Sequence, residues 1–269
     1  METETKAEAK PSYSISSLNT FELCPHSWYL QYIEKKWSKG SFYTIRGKAV
    51  HKAREENFSQ KIKTRTDLPL SECEDASRDE IVKEFEEDKI SMEVDEFKGI
   101  GKAGAINYTL NSTRPLVALD HRQQYPQILP KYVEEHIAIE LTDEPFDLLG
   151  YLDLIDIYNK VIDAKVTGKK MSEADAKTNH QMSIYWLMAN TFLGTTSPGG
   201  YLDIIYTRPK VPYIYTLPWT RTTEDVVKVL ERFRTMHASI KLGLFPPCSQ
   251  SSWKCSARWC HLHHECKYV

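Results

Sequence analysis

Two aspartates and a lysine stand close together in the run GYLDLIDIYNKVIDAKVTGKK: Asp153, then after nine residues Asp163, then Lys165. If both stretches are strands, Asp163 and Lys165 share a face, because strand side chains repeat every two residues. A hairpin at Asn159 brings Asp153 toward that face. Paired carboxylates repel, so a half-buried site that holds them calls for a cation, and hard oxygen ligands suit Mg2+ or Mn2+. A lysine beside them can position or help deprotonate a metal-bound water, or stabilise charge growing on an anionic group. The plainer reading is a set of solvated hairpin aspartates with Lys165 as ion-pair partner. Against it stand Leu152, Leu154, Ile155, Val161 and Ile162, which indicate a buried sheet where unpaired charge is costly. Gly150, just before Asp153, permits close backbone approach.

The second concentration of reactive groups closes the chain. Of six cysteines, Cys248, Cys255, Cys260 and Cys266 fall in the last 22 residues, spaced C-x6-C-x4-C-x5-C; Cys24 and Cys73 lie far upstream. In a reducing compartment such a cluster is read as a metal site rather than as disulfides. A structural Zn2+, with His261, His263 or His264 as substitutes, and an iron-sulfur cluster both satisfy it, and the missing C-x2-C knuckle leaves the spacing neutral between them.

The elements that must position these groups follow from periodicity. Residues 1–11 read as a disordered leader, and 12–269 as one domain without internal repeat or compositional break. Apolar spacing predicts a helix from Ser14 to Trp37 interrupted near Pro25, and another from Ile45 to Phe58. A charged helical insertion spans about 61–130, with a helix from Pro115 to Gln124. Strands are expected at Tyr132–Leu141, Asp147–Tyr158 and Lys160–Val166, then a helix over Glu173–Leu193. Strands at Tyr201–Thr207 and Pro212–Leu217 and a helix from Thr222 or Thr223 to Leu242 precede the cysteine-rich tail, 245–269. This order implies a mixed α/β sheet flanked by helices.

At 269 residues, 41% hydrophobic and 27% charged, the chain is excluded as a disordered, collagen-like or coiled-coil protein. It has no apolar run of the ~18 residues that span a bilayer, and its charged first residues are unlike a secretion signal, so a cytoplasmic protein without membrane contact is expected. The net charge of -2 offers nucleic acid no bulk attraction, so such a partner would need a local patch. Lys165, Lys169, Lys170 and Lys177 could line one side of a groove, with Arg208 and Lys210 on the next hairpin; solvated loops explain them equally well.

Five segments in order carry a resemblance. Gly150-Tyr151-Leu152-Asp153 followed by Asp163-Ala164-Lys165 resembles the PD-(D/E)XK nuclease superfamily. RGKAVHKAREENF, with Gly47 and His51, resembles the first motif of its RecB-like branch. Gln181 and Tyr185, four apart on one helix face, resemble the branch's Q-x-x-x-Y helix, and SSLNTFELCPHSWYL resembles its S-x-L-x-x-F-x-x-C-P opening. The resemblance implies a restriction-endonuclease-like fold in which His51, Asp153, Asp163 and the Ala164 carbonyl ligate Mg2+ or Mn2+. It assigns Lys165 as the catalytic lysine, with Gln181 and Tyr185 supporting it or the DNA backbone. Imidazole hints at Mn2+. It further implies a 4Fe-4S cluster on Cys24, Cys255, Cys260 and Cys266, as in CRISPR-associated exonucleases, with Cys248 as an alternative ligand and structural Zn2+ as the alternative metal.

The function expected on this basis is a metal-dependent DNA nuclease, an exonuclease acting on single-stranded DNA or free ends in recombination, repair or phage DNA processing. Partner proteins of recombination or CRISPR type are compatible with it. The alternative is a DNA-binding or assembly module with a structural metal and a vestigial nuclease centre.

Overall fold

The computed structural model describes residues 10–257 and 259–269. Of the expected leader, residues 1–9 lie outside the described residues, and the Pro11 carbonyl accepts the Asp147 N–H at 2.9 Å. After β1 (Ser12–Tyr13), helix α1 (Ile15–Leu23) starts at Ser14, whose Oγ accepts the Ser17 N–H. Helix α2 (Pro25–Tyr32) starts at Cys24, whose Sγ accepts the Ser27 N–H, with Pro25 at the first position, where no N–H is required. The expected break near Pro25 thus falls at Cys24.

Helix α3 (Phe42–Thr64) leads into the charged stretch, which holds α4 (Leu70–Glu86) and α5 (Lys102–Gln123). Helix α3 extends past both ends of the expected Ile45–Phe58 segment, from a Ser41 cap to a left-handed Arg65 at φ 64°. Pro115 lies inside α5 instead of starting it. Burial of Ala105, Thr109, Thr113, Leu116 and Val117 along one face offsets the single hydrogen bond that the proline forfeits.

The strands are β2 (Pro130–Ile139), β3 (Asp147–Asp156), β4 (Val161–Thr167), β5 (Gly200–Tyr206) and β6 (Tyr213–Trp219). Between β4 and β5 the single expected helix is two, α6 (Glu173–Thr178) and α7 (His180–Leu193), because the Asn179 side chain caps the second. Helix α8 (Thr223–Lys241) opens with a Thr222–Asp225 capping box.

Contacts divide the chain into two compact units, Met1–Ser38 with His136–Gly150 and Thr222–Val269, and Lys39–Glu135 with Tyr151–Arg221. In the first, terminal unit, β1 runs parallel to the start of β3, and α1 packs on α8. Tyr13, Phe146 and Phe233 stack in its core, with the Tyr13 hydroxyl 2.9 Å from His237 Nδ1.

In the second, central unit, Asn159 turns the chain at φ 61° and β3 meets β4 antiparallel, Leu154 opposite Ile162. Strand β4 pairs in parallel with β5 from Val161–Gly200 to Thr167–Tyr206, and β5 pairs antiparallel with β6. This is the expected mixed sheet. A Cβ at Gly200 would lie 1.8 Å from the Val161 carbonyl oxygen, so only glycine lets β5 start against β4 in this register. Val50, Ala53 and Phe58 of α3 pack with Leu154, Ile162 and Ile205 of the sheet, fixing the helix across it.

Candidate active site

Alternation along β4 puts Asp163 and Lys165 on one face, with Lys165 Nζ 2.9 Å from Asp163 Oδ1. The Asn179 cap starts α7 so that Gln181 and Tyr185, one turn apart, face the same carboxylate. Gln181 Nε2 donates to Tyr185 Oη at 2.6 Å and approaches Asp163 Oδ1 at 3.5 Å. From α3, His51 reaches the sheet with both ring nitrogens: Nε2 lies 2.8 Å from the Ala164 carbonyl oxygen and Nδ1 3.2 Å from Asp153 Oδ2. All the residues expected at the site, namely His51, Asp153, Asp163, Ala164, Lys165, Gln181 and Tyr185, are therefore brought together within the central unit.

The electrostatics match crowded, desolvated charge. Burial pushes the Asp163 carboxyl up to about 6, with the Lys165 ammonium opposing. Burial also acts to raise Asp153, but the adjacent His51 prevails and holds it below the usual carboxylate range. Burial acts to lower His51 and Lys165, yet their carboxylate neighbours hold both above their ordinary values. Asp163 Oδ2 is buried and accepts no hydrogen bond, and the buried Asp153 Oδ2 has only the His51 imidazole beside it, at 3.2 Å. Two buried carboxylates, one with an unpaired oxygen, beside an imidazole and a carbonyl oxygen fit a divalent cation, which would satisfy them together.

Sequence reasoning missed two residues here. Glu134, on β2, has φ 52°, a left-handed conformation rare for a non-glycine residue within a strand. It offers an oxygen to a group with His51 and Asp153 whose ligand atoms all lie within 4.8 Å of one another. Burial first, then the Asp153 charge, raises its carboxyl to about 7. The only signal in the sequence was an acidic pair in the strand before GYLD. Arg54, one turn beyond His51, donates to Asp203 at 2.8 Å and Asp120 at 3.4 Å in full burial, tying α3 to β5 and α5.

The terminal unit holds the cysteine cavity, about 190 Å³, lined by Cys24, Cys248, Cys255, Cys260 and Cys266 together with His263. Cys24 Sγ accepts the N–H of Ser27 and of Cys248, both at 3.4 Å. Burial, then the neighbouring Cys24, raises the Cys248 thiol to about 11. Cys73 is not part of it and is wholly buried in the central unit's core.

A family model for the PD-(D/E)XK nuclease superfamily matches residues 12–267, nearly the whole chain. The chain belongs to the PD-(D/E)XK nuclease superfamily. Its mixed sheet flanked by helices, which the order of elements implied, is accordingly the restriction-endonuclease-like α/β architecture that the resemblance implied. Among solved structures it is similar to a Eubacterium rectale protein described as a candidate exonuclease, at TM-score 0.57 and 13% identity over 95% of this chain and 92% of that one. Another, SSO0001, aligns at TM-score 0.42 and 12% identity over 98% and 89%. No curated protein matches by sequence. Membership in the PD-(D/E)XK nuclease superfamily implies phosphodiester hydrolysis on DNA with divalent metal ions, and the acidic group of the central unit can hold such an ion.

Proposed function

We propose that the protein is a Mg2+- or Mn2+-dependent DNA exonuclease of the RecB-like branch. The observation that carries this reading is the convergence of two buried carboxylates, Asp153 beside His51 and Asp163 with one oxygen unpaired, next to Lys165. A cation held by His51, Asp153, Asp163 and the Ala164 carbonyl, with Glu134 at its margin, would offset phosphate charge and lower the pKa of an attacking water. The ammonium of Lys165, kept protonated by Asp163 and Asp153, donates to a phosphate oxygen. Gln181, braced by Tyr185, supports Asp163 from the helix face, and Asp163 in turn holds Lys165.

Purified protein with end-labelled single- and double-stranded DNA and Mn2+ tests the reading. Stepwise shortening from ends, with closed circles spared, and a loss of about a hundredfold or more in Asp163→Ala and Lys165→Ala support it. Cleavage that persists in EDTA, or no cleavage of any substrate, sinks it in favour of a vestigial module.

For the tail, the reading is a 4Fe-4S cluster on Cys24, Cys255, Cys260 and Cys266. Cys24 Sγ already accepts two backbone N–H groups, a pattern that stabilises cluster thiolates, and Cys248 lies beside it as the alternative ligand. A brown protein prepared without oxygen, with iron and sulfide by analysis, is expected; a colourless protein containing zinc overturns the assignment. Cluster thiols of this kind are in keeping with a reducing cytoplasm; no helix among the described residues is long and apolar enough to cross a membrane.

A further inference from the structure

Arg46 lies on α3, five residues before His51, and only 9% of it is exposed. A guanidinium has five N–H donors. Here Nη2 donates to Thr207 Oγ1 at 3.1 Å, while Nε is buried without a partner. A buried unpaired donor of full positive charge is costly unless an anion comes to it.

The surroundings of Arg46 point to which anion. Its guanidinium lies 5.0 Å from the Phe42 ring centroid and 5.7 Å from that of Tyr43. Phe42 in turn packs against Tyr43 and Tyr108, at 5.2 and 5.3 Å between centroids. Tyr43, whose hydroxyl is hydrogen-bonded to Glu96, is nevertheless 54% exposed and Tyr108 46% exposed, so two large rings face solvent beside an arginine whose only nearby carboxylate among those acting on it is Glu96.

The register relates this patch to the site described above. Lys165 is opposite Ile204 and Thr167 opposite Tyr206 in a parallel pair, so the C-terminal ends of β4 and β5 share one edge of the sheet. Thr207, the partner of Arg46, follows three residues after Ile204, about 10 Å along the strands from Lys165. That is within reach of the next few nucleotides of a strand held at Lys165. Lys170, Arg208 and Lys210 leave from the same edge, exposed and without ion-pair partners among the described residues. The sequence separates the two basic loops by some forty residues; parallel pairing unites them.

We infer that Arg46 holds a backbone phosphate of single-stranded DNA adjacent to the scissile one, while Tyr43 and Tyr108 stack unpaired bases. Stacking on an exposed ring needs a base with a free face, which a duplex lacks along its length. This deepens the nuclease reading and rests on it for the position of the scissile phosphate.

Fluorescence anisotropy with labelled oligothymidine and a blunt hairpin duplex, in EDTA so that nothing is cut, tests the inference. Tyr43→Ala and Tyr108→Ala, both at exposed positions, should each weaken oligothymidine binding by about tenfold or more and duplex binding by less than about twofold. Tyr43→Phe should bind as wild type. Arg46→Gln, checked for folding by circular dichroism, should flatten the slope of log affinity against log salt by about 0.7, the share of one single-strand phosphate. Unchanged oligothymidine affinity in both tyrosine variants, equal losses on duplex, or a wild type that does not bind oligothymidine overturns the inference. Cleavage with Mn2+ is scored separately. Wild type that binds as described yet cuts nothing defeats the nuclease reading and leaves the phosphate-and-base subsite standing, whereas variants that bind normally in an active enzyme defeat the subsite alone.

Discussion

Nε2 of His51 lies 2.8 Å from the carbonyl oxygen of Ala164, across 113 residues of sequence. A carbonyl only accepts, so Nε2 carries a hydrogen, and Nδ1, facing the Asp153 carboxylate, favours one as well. Both contacts favour the imidazolium, and they hold His51 above its ordinary value against the opposing effect of burial. A cation at this site must displace that proton. Mn2+ affinity should therefore rise with pH across the range in which His51 loses its proton, with proton release on binding. Calorimetry in two buffers of different ionisation enthalpy measures the release; a pH-independent affinity, or a release undiminished in His51→Ala, contradicts this account.

Asp163 makes a second, opposite prediction for the metal-free protein. Its carboxyl is raised from 3.8 to about 6, chiefly by burial. A group raised on folding contributes stability below its unfolded pKa and loses it as pH rises through the folded value. Above about pH 6 the ionised, buried Asp163 thus weighs against the fold. Asp163→Asn should stabilise the EDTA-treated protein near pH 8 by up to about 3 kcal/mol and change little near pH 4. Urea unfolding at the two pH values decides; a variant less stable than wild type near pH 8 refutes the assigned balance.

Glu134 keeps a left-handed backbone in the middle of a strand, at φ 52°, a conformation that costs of order 1–3 kcal/mol. If that strain serves to aim the carboxylate at the cation, Glu134→Gln should weaken Mn2+ binding by roughly tenfold, the scale found for groups that support metal ligands. Electron paramagnetic resonance of free Mn2+ reads the binding isotherm directly. Wild-type affinity in the variant would remove Glu134 from the site.

Arg54 is buried between Asp120 and Asp203. Removing it strands two carboxylates, so Arg54→Met should cost about 3–5 kcal/mol in denaturant unfolding. Adding Asp120→Asn and Asp203→Asn should recover much of that loss. Full stability in Arg54→Met alone would show that the buried acids are already neutral; Asp120, raised to about 6 by burial, is the one nearest that state.

What the sequence determined by itself was chiefly local. Strand alternation set Asp163 beside Lys165, Pro25 forced the break between α1 and α2, and the order of elements implied a mixed α/β sheet. These depend on neighbours within a few residues, where steric and periodic rules act directly. Proline placement misled at Pro115, because burial of a helix face outweighed one missing donor, and the split at Asn179 turned on a side-chain cap that periodicity does not register.

Only the tertiary structure decided which distant residues meet. Glu134 became part of the acidic group through an unusual φ on β2, and Arg54 became a buried clamp; Cys24 lies with the tail cysteines around one cavity, a grouping that only the family resemblance had implied. Parallel pairing of β4 with β5 likewise gathered two basic loops and Arg46 at one sheet edge. The near-neutral net charge carried no trace of that edge, because a sum over the chain erases position, whereas the Coulomb and hydrogen-bond forces that hold a ligand act over a few ångströms of folded space.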